Sequence, residues 1–137
     1  MATAEVRRLA EYKPGRAGQT NVEFYTALIG LKEQSRTDIP GVNECVVAAD
    51  HGGGRLQLAY RHDDIKPVDH GNALWKIYMI VDDADAVHDA VVAAGYESTM
   101  KPERLERWPV KVGFVVDPDG YLVELVEYLD GHTPPGS

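Results

Sequence analysis

Two helical patterns in this chain end in the same way, 65 residues apart, at Gly30-Leu31 and Gly95-Tyr96. In the first, Val22, Tyr25, Leu28 and Ile29 recur at helical spacing, and Thr20 or Asn21 can cap the start. In the second, Val87, Ala90, Val91 and Ala94 recur likewise, with Asp83 or Asp85 at the start. A glycine after the last periodic residue supplies the left-handed conformation that closes a helix. Strand-like stretches surround both helices. Arg8–Lys13 precedes the first helix; Lys32–Arg36, Val42–Ala49 and Arg55–Tyr60 follow it, the last two joined by the turn His51–Gly54. Leu74–Val81 precedes the second helix; Glu97–Lys101, Val110–Val116 and Tyr121–Tyr128 follow it. The repeat extends to Gln57 in Leu-Gln-Leu and Glu124 in Val-Glu-Leu, 67 residues apart. The pattern predicts an α+β protein of two tandem βαβββ modules forming a curved mixed sheet. Module one covers about 5–60, a polar linker 61–71, module two about 72–129, and a flexible tail 130–137. Each helix covers one sheet face, and the other face is left to line a cavity or meet a partner.

The segment Phe114–Glu127 reads FVVDPDGYLVELVE. Pro118 presets φ and Gly120 accepts a positive φ, so Asp117–Gly120 is a tight reversal between two strands. Strand parity puts Leu122, Glu124 and Val126 on one face, and Val123, Leu125 and Glu127 on the other. Glu124 is thus a carboxylate in an apolar strand. It is costly there unless it is paired, hydrated or bound to a metal.

A net charge of -8 excludes the basic face that nucleic-acid binding needs. No apolar run reaches the ~20 residues of a membrane-spanning helix, and the first residues lack the apolar core of a secretory leader. A cytoplasmic protein with no nucleic-acid or membrane partner is expected. Cys45, the single cysteine, lies in a Val-rich strand and reads as a buried, inert thiol.

Four motifs resemble the vicinal oxygen chelate superfamily, which holds glyoxalase I, extradiol dioxygenases and bleomycin-resistance proteins. They are Phe24-Tyr25-Thr26-Ala27-Leu28-Ile29-Gly30-Leu31, Val81-Asp82-Asp83, Ala94-Gly95, and Asp117-Pro118-Asp119-Gly120-Tyr121-Leu122-Val123-Glu124-Leu125. The resemblance implies the glyoxalase/bleomycin-resistance fold. It says little about activity, because one fold hosts unrelated chemistries.

Metalloenzymes of this superfamily hold a divalent ion with four side chains, on the first and last strands of each module. Carried over, those positions are Ala10 or Glu11, Gln57, Lys76 and Glu124. An ammonium cannot ligate a cation, so the resemblance gives a degenerate set at Glu11, Gln57, Lys76 and Glu124, and no cofactor is expected. A Lys76–Glu124 ion pair would fill the metal's usual place. The expected function is then metal-free binding of a small aromatic or polyketide-like molecule, as in antibiotic sequestration. The candidate ligand-binding residues are Arg55, Gln57, Lys76, Tyr78, Trp108 and Glu124. Gly113 would leave room for the ligand, Trp75 would join the core, and His88 would face solvent. The alternative is a glyoxalase- or dioxygenase-like metalloenzyme, or a metal-independent lyase or epimerase with Glu124 as base. Whether the protein is an enzyme stays open at this point. The resemblance also implies a homodimer.

Overall fold

The computed structural model describes residues 3–6, 21–50, 52–63 and 68–135. The chain divides into two compact units, Met1–Asp69 and His70–Ser137. No described helix is long and apolar enough to cross a membrane.

Unit 1 contains β1 (Thr3–Val6), α1 (Asn21–Glu23) running into a π-helical turn (Phe24–Leu28), β2 (Lys32–Ile39), β3 (Val42–Ala48) and β4 (Arg55–Arg61). Its sheet has the order β1-β4-β3-β2, with β1 parallel to β4 and the other pairs antiparallel. Phe24 and Tyr25 are fully buried and meet edge to face, with ring centroids 5.0 Å apart. Cys45, Val47, Leu56 and Leu58 supply the sheet's side of the core. Burial pushes the Cys45 thiol up from its usual range, as for an inert core cysteine. The strand paired with β4 is Thr3–Val6, earlier than expected. The stretch Arg8–Lys13, and Glu11 with it, lies outside the described residues.

Unit 2 contains β5 (Ile77–Ile80), α2 (Ala84–Ala93), β6 (Ser98–Arg104), β7 (Val110–Val116) and β8 (Leu122–Tyr128). Its sheet order, β5-β8-β7-β6, copies that of unit 1 element for element. Each sheet is mixed, so the α+β repeat of strand, helix and three strands is present. Both helical segments close at a glycine of positive φ, Gly30 and Gly95. In the first, the Leu31 N–H donates to the Tyr25 carbonyl at 2.9 Å, and in the second the Tyr96 N–H donates to that of Val91 at 3.2 Å.

In unit 2 the core face of the sheet carries Ile77, Val115, Val123 and Leu125, and α2 contacts β6, β7 and β8. Asp83 caps α2, its Oδ1 accepting from the Ala86 N–H at 2.9 Å. The buried stripe of α2 is Ala84, His88 and Val91, at i, i+4 and i+7. His88 therefore does not face solvent. It is buried, with Nε2 2.7 Å from Ser98 Oγ and Nδ1 3.1 Å from Asp89 Oδ1.

The β7–β8 reversal closes by sequence-local bonds. Asp117 Oδ1 accepts from the backbone N–H of Asp119 at 2.9 Å and of Tyr121 at 2.8 Å. Gly120 has φ +89°, and a Cβ there would lie 2.9 Å from His70 Nε2. That histidine packs edge-on against Tyr121 and contacts the Asp119 carbonyl at 2.9 Å. The Leu129 N–H donates to the Pro109 carbonyl at 2.8 Å, and Asp130 pairs with Arg104.

Candidate functional site

Glu124 occupies the centre of β8 on the face turned away from α2. Its neighbours are set by register. Tyr78 of β5 lies beside it on one side and Phe114 of β7 on the other, and Met100 of β6 follows Phe114. Directly paired residues share a face, so these four form one row across the sheet. Lys76 immediately precedes β5, and its side chain reaches the same row. Its Nζ is 2.6 Å from Glu124 Oε2, and the two side chains are 25% and 11% exposed.

Aromatic rings hold that ammonium in place. Lys76 Nζ lies 4.2 Å from the Trp75 ring centroid and 5.5 Å from that of Phe114. Cation–π contacts of this kind contribute about 0.5–1 kcal/mol at exposed sites. Trp75 itself is 74% exposed, so it does not join the core. The reason is that β5 starts only at Ile77. Strand alternation does not reach back to Trp75, and its ring is free to cover Lys76. The Tyr78 hydroxyl meets that of Tyr128 at 3.0 Å. Partial burial, then the Tyr128 hydrogen bond and the nearby Glu124 charge, push the Tyr78 phenol well above its usual range. It is therefore a neutral donor. Tyr128 went unnoticed in the sequence, although its position four residues after Glu124 places it on the same strand face.

Of the remaining candidates, Gln57 and Arg55 belong to unit 1 and Trp108 to unit 2. Gln57 is half-buried in β4 of unit 1, and its Nε2 donates to Glu44 Oε2 at 3.4 Å. Glu44 was also missed; alternation with the buried Cys45 and Val47 marks it as facing away from the core. Arg55 is exposed at the start of β4 and makes no ion pair among the described residues. Trp108 is 54% exposed, on the loop before β7. Gly113 leaves no room for a ligand: a Cβ there would lie 2.9 Å from Pro102 Cγ, so the glycine admits the β6 backbone.

The family model described as Glyoxalase/Bleomycin resistance protein/Dioxygenase superfamily matches residues 16–125. Among curated proteins, a probable lactoylglutathione lyase from Vibrio cholerae is 28% identical over 117 residues, covering 82% of this chain and 84% of its own. Among solved structures, glyoxalase I from Zea mays superposes with a TM-score of 0.73 at 20% identity, over 93% of this chain and 44% of that one. This chain thus spans less than half of the maize protein. An antibiotic binding protein from Streptomyces sp. CB03234 superposes with a TM-score of 0.62 at 17% identity, over 92% and 93% of the two chains. At such identities the structural likenesses speak to fold alone.

These findings overturn two expectations. A metal-free binding protein that sequesters an antibiotic is contradicted by the curated relative, which carries an enzyme's name over four-fifths of both chains. The expectation of no cofactor falls with it, since glyoxalase I stands among the metalloenzymes of the resemblance. Both expectations leaned on the degenerate ligand set, with Lys76 its least suitable member. That set bears on how an ion is held, but it does not decide what reaction is run.

How well the residues suit a divalent ion can be judged from their chemistry. Glu124 suits one: its Oε2 is buried, lies against a cation, and makes no hydrogen bond among the described residues. Its contact with Lys76 is an ion pair at 2.6 Å, and a carboxylate oxygen has more than one lone pair to offer. Gln57 offers an amide oxygen. Lys76 does not fit, because an ammonium has no lone pair. These residue types therefore do not make up a full set of four donors. Three other carboxylates, Asp83, Asp85 and Glu127, have oxygens within 4.8 Å of one another. They are engaged as the anchor of α2. Asp83 caps it, Glu127 Oε2 accepts from the Ala84 N–H at 2.9 Å, and Asp85 pairs with Lys111. If Lys76 stands where a ligand would, Lys76→His should tighten Ni²⁺ binding at least about tenfold, since imidazole suits nickel and removes a repelling charge. Isothermal titration reads this directly. Unchanged affinity would show that residue 76 does not face the ion's place.

Proposed function

The chain belongs to the Glyoxalase/Bleomycin resistance protein/Dioxygenase superfamily, and from that premise we propose that it is a glyoxalase-type lyase. Its substrate is the hemithioacetal formed by glutathione and a 2-oxoaldehyde, and its product is the 2-hydroxyacyl thioester. The observation that carries this reading is Glu124: a buried carboxylate on the face of the unit 2 sheet turned away from α2, ion-paired with the ammonium of Lys76. The name shared by its curated relatives supports the same chemistry.

The reaction moves one proton between adjacent carbons. The base takes the hydrogen from the carbon bearing sulfur and hydroxyl, and the C–H electron pair becomes the double bond of an enediolate. The neighbouring carbonyl oxygen takes up the negative charge. Return of the proton to that second carbon, with the hydroxyl proton of the first carbon passing to the oxygen of the second, leaves a thioester on the first and a hydroxyl on the second. No atom or electron is gained or lost. Glu124 is the group that can carry the proton, because a carboxylate within reach accepts it and gives it back. Lys76 is the group that can face the developing oxyanion, held in place by the Trp75 and Phe114 rings. The neutral Tyr78 hydroxyl, backed by Tyr128, is a second donor on the same face.

We place this activity in the cytoplasm, where the glutathione pool keeps thiols reduced, and in a homodimer, the commonest closed assembly. Proton NMR of methylglyoxal and glutathione with the protein should show the methyl doublet of the lactoyl thioester growing as the hemithioacetal declines. A mixture that stays at the hemithioacetal would remove the lyase reading.

A further inference from the structure

The face that carries Glu124 also carries two phenols in contact. Tyr78 of β5 is paired with Glu124 in the parallel β5–β8 register. Tyr128 lies further along β8 and is paired with Val110 of β7. Their hydroxyl oxygens are 3.0 Å apart. The two side chains therefore reach towards each other, and the hydroxyls meet between the level of Glu124 and that of Tyr128. Val126 lies at the intermediate level, and one such same-face step is roughly 6–7 Å. Tyr128 is partly buried against Val110, Val112 and Val126, whereas Tyr78 is 49% exposed. One ring anchors the pair and the other leaves it accessible to a ligand.

A pair of phenols has a polarity that a single one lacks. One hydroxyl donates to the other. The donor keeps lone pairs that can accept, and the acceptor keeps an O–H that can donate. The pair can thus take a proton at one end and release one at the other. Phenols of ordinary pKa, about 10, are neutral under working conditions. The two oxygens of a cis enediolate stand about as far apart as hydrogen-bonded oxygens, roughly 2.7–3.0 Å, and the spacing of the two hydroxyls matches this.

Resting on the lyase reading, we propose that the Tyr78–Tyr128 pair carries the proton that passes from the oxygen of the first substrate carbon to that of the second. The reaction needs this transfer, and Glu124, which serves the carbons, does not make it. In the enediolate the hydroxyl of the first carbon gives its proton to one phenol. That phenol passes its own proton to its neighbour, and the neighbour gives its proton to the oxyanion of the second carbon. Each O–H bond that breaks is replaced by one that forms, and both tyrosines end as they began. The negative charge moves to the first oxygen, where the thioester carbonyl forms as Glu124 returns its proton to the second carbon. No oxidant, reductant or further reactant is needed.

The test uses the full chain with methylglyoxal and glutathione. Tyr78→Phe and Tyr128→Phe keep the rings and remove one hydroxyl each. Either should lower kcat about 10²-fold, the low end for a positioned acid–base group, with KM changed less than about threefold. A relay cut at one link is no worse when cut at both, so the double variant should lose about as much as either single one. Deuterium at the aldehyde carbon of methylglyoxal slows the step that Glu124 makes. With the relay cut, that step no longer limits the rate, and the isotope effect should fall toward one. Tyr128→Phe with kcat within about twofold of wild type would overturn the relay. A double loss equal to the product of the single losses would also overturn it, as would an isotope effect unchanged in the variants, since both mark independent donors. The lyase reading is judged separately by wild-type turnover. If the wild type turns over and Tyr128→Phe keeps its rate, only the relay fails. If the wild type does not turn over, both fail.

Discussion

Glu124→Gln should lower kcat on the glutathione hemithioacetal by about 10²–10⁴-fold, the usual contribution of a positioned acid–base group, with KM changed only a few-fold. The substitution keeps the shape of the side chain and removes its ability to take a proton. Because Glu124 lies in the row Tyr78–Glu124–Phe114, its backbone position is held by both neighbouring strands, and an amide of equal volume leaves that row intact. The split between kcat and KM matters. A proton carrier acts in the transition state, whereas a residue that only gathers substrate would raise KM with kcat untouched. Activity within about tenfold of wild type would move the proton transfer to another group. Loss of the Lys76 counter-charge is the side effect to control for, and Lys76→Met in the same background does so. If Lys76 serves the oxyanion, the double variant should lose less than the product of the two single losses, because the two groups serve one transition state.

Phe24→Ala is the stability counterpart, and it should cost about 3–5 kcal/mol in urea unfolding. Phe24 and Tyr25 are both fully buried, consecutive in the chain, and packed edge to face. Consecutive residues on an ordinary helix point about 100° apart. Here the helix widens to a π turn over Phe24–Leu28, where the Ile29 N–H reaches the Phe24 carbonyl at 3.0 Å. The wider turn brings both rings to the core. Removing one ring leaves a cavity that its neighbour alone cannot fill. With typical domain stabilities of about 5–15 kcal/mol, the variant would sit near the edge of folding. A loss below about 1 kcal/mol would mean that this segment does not anchor unit 1.

What could be read from the sequence was local or periodic. The paired glycine stops, the Asp117–Gly120 reversal and the parity of β8 rest on neighbours a few residues apart, and the structure has them all. Parity also set Lys76 on the side of Glu124, and the two are in contact. What escaped depended on where elements begin and on which helix face turns inward. Trp75 looked like core because the strand was started three residues too early, and an exposed ring beside a lysine leaves no periodic mark. His88 looked like surface because Val87 and Ala90 suggested a stripe one position away from the buried one, Ala84–His88–Val91. Gly113 was taken for a gap beside a ligand, when the close neighbour is Pro102 on the adjacent strand. Pairing across strands is long-range information that a single segment does not hold.

The site itself was legible as residue types in register, and its chemistry was misjudged. The degenerate ligand set, Lys76 above all, outweighed the metalloenzyme alternative, although changes at ligand positions alter a site without specifying a new function. Glu124 belongs equally to a lapsed metal site and to a working acid–base site, and its surroundings do not distinguish the two from sequence alone.

The most direct test of the central claim is the initial rate of thioester formation, followed at 240 nm, for purified protein with methylglyoxal and glutathione. It is run as purified and with added Ni²⁺, Zn²⁺ or Co²⁺. Turnover well above the protein-free mixture in at least one of these conditions, and lost in Glu124→Gln, is the expected result. A rate no faster than the protein-free mixture under every condition would contradict it.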